Sequence, residues 1–215
     1  MKTFASRAVA KALFAAFNIT LPAAAWLAVP TLAQAQGVEQ VHIRGSIVSA
    51  GDKTVRIKTR EGKTLDVALA GDARIAGVAR AAIADIKPGD FVGIASLPRA
   101  DGGDGALEVV IFPPAMKGAG EGSYGWDLKP NSSMTNATVA NAVKGVDGHT
   151  VTVTYHGKEK KITIPEGTPV VTLAPATIRN LVPGAVVFMP ASKDAKGGLT
   201  SHQVVVGANG VVPPM

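Results

Sequence analysis

Asp85-Ile86-Lys87-Pro88-Gly89-Asp90-Phe91-Val92-Gly93-Ile94 reads as a tight turn that launches an apolar strand. Proline pre-sets φ at the second position of a β-turn and glycine supplies positive φ at the third, so Pro88-Gly89 predicts a type II turn. The signal returns as Asn180-Leu181-Val182-Pro183-Gly184-Ala185-Val186-Val187-Phe188. Pro183 follows Pro88 by 95 positions, and the flanking sequence echoes at the same offset. The chain therefore reads as two copies of one small domain.

Working outward from the first turn, Val41, Ile43, Gly45 and Ile47 alternate with His42, Arg44 and Ser46, the period of a half-buried strand. Gly51-Asp52-Lys53 turns into a second strand carrying Val55 and Ile57. Arg60-Glu61-Gly62-Lys63 turns into a third with Leu65, Val67 and Leu69. Residues 79–86 are Ala-rich, fit a helix of two turns at most, and stop before Pro88. A fourth strand follows over 91–96 and a fifth over 107–112, joined by a Gly-rich loop. The second copy places strands at 137–143, 150–155, 161–164, 186–189 and 203–206, with 177–181 in the helical place.

Three strands, a short helix and two strands is the order of an OB-fold, and closing such Val- and Ile-rich strands into a barrel removes their exposed edges. The expected fold is all-β: two tandem five-stranded OB-like barrels, each with one short helix between strands 3 and 4. An open five-stranded sheet packed on its partner is the alternative. The expected boundaries are a first domain at 36–113, a Gly-rich linker at 114–135, a second domain at 136–207 and a frayed tail at 208–215.

Residues 1–35 read as a segment apart. Lys2, Arg7 and Lys11 precede an apolar run over 12–29, and Ala33-Gln34-Ala35 supplies a small-residue cleavage site. This is the pattern of a secretory signal peptide cut before Gln36, which predicts a periplasmic protein. The competing reading, a retained anchor, is disfavoured by Asn18, Thr20, Pro22 and Pro30 inside and after the run. No later apolar run is long enough to span, so no membrane span is expected in the mature chain and a multi-span transporter is excluded. With no cysteine there is neither a lipidation site nor a disulfide framework. Setting aside the three basic residues of the leader leaves 19 basic against 16 acidic residues, too even a balance to argue for a polyanion partner.

The run R-G-S-I-V-S-A-G-D-K-T-V, then E-G-K-T-L-D-V, then D-I-K-P-G-D-F-V-G-I-A, ending A-L-E-V-V-I-F-P, resembles the exported bacterial domains grouped as domain of unknown function 5666. The second copy, with Asn180 and Ala185 where the first has Asp85 and Asp90, is more divergent. The segment G-E-G-S-Y-G-W-D-L-K-P-N-S-S-M-T-N-A-T resembles the linker of a two-copy periplasmic subgroup whose members are often labelled metal transport permeases. The resemblance implies an exported compartment and an OB-like fold type. Without spans, this chain would be at most an accessory to transport. Members of the subgroup tend to carry His after Gly-Glu-Gly, where this chain has Ser123.

Few residues point to chemistry. His149 and His156 bracket one strand and stand about 23 Å apart at ~3.3 Å per residue, too far to share an ion. His42 and His202 belong to terminal strands of different copies. Asp101-Gly102-Gly103-Asp104-Gly105 lacks the ligand spacing of a Ca²⁺ loop and reads as a hairpin. Lys158-Glu159-Lys160-Lys161 reads as a solvated hairpin. No catalytic residue, cofactor site or metal site is predicted. There is no nucleophile elbow and no phosphate loop. Nucleic acid is not an expected partner, because the outward positions of the second strands carry Arg56, Lys58, Thr152 and Thr154 with Tyr155 as the sole nearby aromatic.

The linker aromatics remain. Tyr124, Trp126 and Met134, in a polar Gly-rich segment, are candidates for contact with a partner. Alternatively Trp126 inserts between the barrels and fixes their angle, the preferred reading because a buried indole recovers more than an exposed one. The expected function is a non-catalytic periplasmic binding or interaction module of the cell envelope, serving an envelope protein or a small solute. The alternative is an accessory that captures metal ions or small solutes for a transport system.

Overall fold

The computed structural model describes residues 38–145, 148–207 and 210–214; the signal-peptide reading of 1–35 lies outside them. The described residues form twelve strands: β1 Glu39–Ala50, β2 Thr54–Thr59, β3 Thr64–Arg80, β4 Phe91–Pro98, β5 Asp104–Ile111, β6 Gly122–Trp126, β7 Ser132–Gly145, β8 Gly148–Tyr155, β9 Lys158–Ile164, β10 Val170–Pro175, β11 Val186–Lys193 and β12 Leu199–Gly207. The all-β expectation holds. Among the described residues no helix is long and apolar enough to cross a membrane.

All twelve strands belong to one continuous sheet, which closes on itself twice. One ring runs β1-β2-β3-β12-β11 and back to β1. The other runs β7-β8-β9-β5-β4 and back to β7. Each ring thus takes three strands from one half of the chain and two from the other. The expected tandem arrangement is corrected on this point: strands within 36–113 do not close among themselves.

Both turns that opened the sequence reading are formed and latch this exchange. Gly89 has φ 92° and Gly184 φ 84°, with Asp90 N–H donating to Lys87 C=O at 3.1 Å and Ala185 N–H to Val182 C=O at 3.0 Å. Gly89 N–H then donates to Val139 C=O in β7, and Gly184 N–H to Ile47 C=O in β1, each at 2.8 Å. The turn of each half therefore docks on the first strand of the other half, at the residue where that strand bulges.

The crossing is carried by β3, which runs 17 residues where the sequence suggested about five. Its far end pairs with β10, and the register is symmetric. Val78 faces Leu173, its own counterpart 95 positions on, while Arg80↔Val171 becomes Ala76↔Pro175 under the same shift. The Ala-rich helix expected over 79–86 is replaced by strand to Arg80 and a single 3-10 turn, Ile83–Asp85, matched by Ile178–Asn180 in the second half. Ala79 and Arg80 hydrogen-bond to a strand because a partner strand lies beside them, and tertiary pairing overrides a weak helical preference.

Alternation along the strands fills each ring with aliphatic side chains. Ile57, Val67, Met189 and Val204 are fully buried in the first ring, and Ile94, Val109, Val153 and Ile162 in the second. A third cluster, with Val78, Val110, Val171, Phe188 and Val205, lies along the β3–β10 seam. Of the tail expected to fray, residues 210–214 are described: Val211 packs on this cluster, and Pro213 and Pro214 are buried.

The open and the filled mouth

Ring closure makes the two halves comparable residue by residue, because the paired registers superpose. In the first ring Val41 faces Ala191 and Leu199 faces Val67; in the second Ser133 faces Ser96 and Asp104 faces Ile162. At one end of each ring the corresponding positions differ in kind. Val41, Ile43, Leu65, Ala191 and Leu199 of the first ring stand where the second has Ser133, Thr135, Lys160, Ser96 and Asp104.

In the second ring these residues form a half-buried polar plug. Lys160 Nζ lies 2.6 Å from Asp104, with side chains 21% and 16% exposed. It also reaches Ser133 Oγ and Thr135 Oγ1, both at 3.2 Å. Ser96 Oγ donates to Asp104 at 2.9 Å, so the carboxylate is satisfied from two sides. Such an arrangement satisfies the polar groups that the end of the ring encloses. Over it lies β6, whose Ser123 shares a 2.9 Å hydrogen bond with Thr135. Lys160 is therefore not the solvated hairpin residue expected, and Asp104 is more than a loop residue. Setting the two copies in register would have flagged both, since a lysine and an aspartate replace two leucines.

Among the described residues the first ring has neither the plug nor the cover. Val41, Ile43, Leu65 and Leu199 floor a cleft of about 440 Å³, rimmed by His42, Arg44, Lys63, Lys193 and Glu61. Lys193 pairs with Glu39 at 3.0 Å, and Arg44 with Asp127 at 2.8 Å. Among the described residues no strand takes β6's place beside residues 39–44 of β1.

Tyr124, Trp126 and Met134 lie not in an irregular linker but on the β6–β7 hairpin, Tyr124 directly opposite Met134. With Gly93, Val110, Phe112 and Asn136 they line a small cavity of about 70 Å³. Tyr124 is 43% exposed, accepts a hydrogen bond from Asn136 Nδ2 at 3.0 Å, and has its phenol pKa pushed up by partial burial. Met134 is 4% exposed. The Trp126 ring packs on His42 at 4.3 Å and Phe188 at 6.2 Å between centroids, with the Arg44 guanidinium 5.7 Å from its centre. Asp127 beside it accepts from both His42 and Arg44. Trp126 thus joins β6 of the second ring to β1 and β11 of the first, and only Tyr124 of the three offers an exposed face. His42 and His202 each contact one carboxylate, Asp127 and Asp72, and among the described residues no three potential ligands gather to hold a metal.

Comparison with family models, with curated proteins and with solved structures finds no match to this chain.

Proposed function

We propose that the chain is an exported, non-catalytic binding module of the cell envelope, and that the open mouth of the first ring is its binding site. The observation that carries this reading is the contrast between two superposable barrel ends. One is filled by Lys160, Asp104 and their hydroxyl partners and covered by β6; the other leaves Val41, Ile43, Leu65 and Leu199 around a cleft. Polar groups around an apolar floor are the usual make-up of a ligand pocket. The closed order of each ring, three strands of one half of the chain and two of the other, supports an OB-like reading of both rings although neither half closes by itself. The leader at 1–35 supplies the export signal of this reading, and Tyr124 a second exposed point of contact.

A second reading, capture of small solutes for a transport system, is favoured by the cleft's size, which falls in the range of small-molecule sites. Both readings are tested with the dye 1-anilinonaphthalene-8-sulfonate. The full chain is expected to enhance its fluorescence. The variant carrying Leu65→Lys and Leu199→Asp, which copies the plug of the second ring into the first, is expected to lose most of that enhancement while staying folded by circular dichroism. Equal enhancement by both proteins would remove the cleft as the site.

A further inference from the structure

The second ring shows what its own β7 edge takes. Five residues of β6 run antiparallel to β7, pairing Gly122↔Asn136 through Trp126↔Ser132, and Ser123 turns inward onto Thr135 and Lys160. The corresponding stretch of β1 is residues 40–44. Arg60 N–H donates to Arg44 C=O at 3.1 Å, so the main-chain groups of Arg44 face away from β11. By strand alternation those of His42 and Gln40 face the same way, along the edge that β2, paired only from Gly45 onward, does not reach. Val41 and Ile43, between them, point into the cleft.

We infer that this edge binds an extended segment of another protein, added antiparallel to β1 in the place β6 holds on β7. This rests on the open mouth being the binding site and names its class of partner. Strand addition of this kind draws affinity from main-chain hydrogen bonds and specificity from alternate side chains. The chemistry of the segment follows from the substitution between rings. Where β6 sets Ser123 against Thr135 and Lys160, the incoming strand faces Ile43 and Leu65, so its inward side chains are apolar. Its outward side chains lie beside His42, which Trp126 and Asp127 already contact, so they are short and polar.

The test uses the full chain and the peptide acetyl-Thr-Val-Thr-Val-Thr-amide, with a control carrying proline at the centre. Amide exchange at Gln40 and His42 is followed by NMR. With the peptide in excess, both amides are expected to exchange at least tenfold more slowly, the proline control to have no effect, and the Leu65→Lys, Leu199→Asp variant to lose the protection. Slow exchange before any peptide is added means the edge is already covered, by another part of the chain or by a second copy, and overturns the proposal. Dye bound in the cleft with no peptide protection at Gln40 or His42 overturns strand addition and leaves the binding module standing. Binding of neither dye nor peptide overturns both.

Discussion

At the scale of single residues, Lys160 and Asp104 occupy positions that the other ring gives to Leu65 and Leu199, so the same backbone accommodates both pairs. Removing one member of a half-buried ion pair strands the other charge, whereas replacing both with aliphatic groups removes the desolvation penalty as well. Lys160→Leu and Asp104→Leu are each expected to lower stability by about 1–3 kcal/mol, and the double substitution to return within ~1 kcal/mol of the parent, as read from urea unfolding. Equal losses in all three would show that the pair acts only as surface charge. Asp127 gives a pH dependence. Partial burial raises its pKa, but Arg44's hydrogen bond and charge, with His42's smaller contribution, hold it below the usual carboxylate value overall. A lowered folded pKa means that the stabilisation is present above the unfolded value and lost as pH falls through the folded one. The indole N–H resonance of Trp126 is therefore expected to shift as the pH falls below the ordinary carboxylate range, and to lose that step in Asp127→Asn. Lys160 illustrates why these sites were hard to read: in K-E-K-K a period-2 pattern shows which residues share a face, but not which face is inside.

At the scale of elements, the Pro-Gly turns are fixed by local chemistry and were legible for that reason. Gly89 and Gly184 hold positive φ, and a side chain at either would meet no atom within 4 Å. Substitution there is a conformational matter, not a steric one. Gly89→Ala and Gly184→Ala are each expected to cost about 1–2 kcal/mol in denaturant unfolding, and to add when combined, because the turns close different rings. A loss well beyond that sum would mean that the two latches are coupled. Most strands were likewise legible from alternation. The length of β3 and the existence of β10 were not, because residues 76–80 and 171–175 pair with each other, while 74–78 also pair with β12 and 170–172 with β5, all far away in sequence. Ala-rich sequence with no partner in view resembles a short helix, and the partner lies over ninety residues away. β6 was hidden by its glycines, which weaken any strand pattern although Gly122 and Gly125 sit in register with Asn136 and Ser133.

At the scale of the molecule, the recurrence of the strand pattern was legible and the exchange of strands between the rings was not. Both halves carry the same strand patterns, so a hairpin of β4 and β5 satisfies either ring equally well by local rules. What decides is the length of β3, which carries the chain past its own ring before the Pro-Gly turn. The second ring is consequently contiguous, lying between Phe91 and Ile164, whereas the first is assembled from the two ends of the chain. A fragment spanning 81–175 is expected to give a dispersed amide spectrum as a monomer. The fragment 36–113, which has five strands but no closing set, is expected to give none as a monomer, forming either an exchanged dimer or an unfolded chain. A folded monomer of 36–113, detected by sedimentation and NMR, would show that the hairpin can return to its own half.

The exchange also sets an order of events. As the chain is made from its first residue onward, β1 to β3 emerge early with no set of neighbours to close them, and Glu39 waits for Lys193, 154 positions later. All strands of the second ring exist once Ile164 has been made, so that ring is free to close first, and its closure draws the two ends together. Contacts of such long sequence separation are slow to form from an open chain and fast once an intermediate has shortened the loop. The open mouth, which needs Leu65 and Leu199 side by side, is the last part of the molecule to come into being.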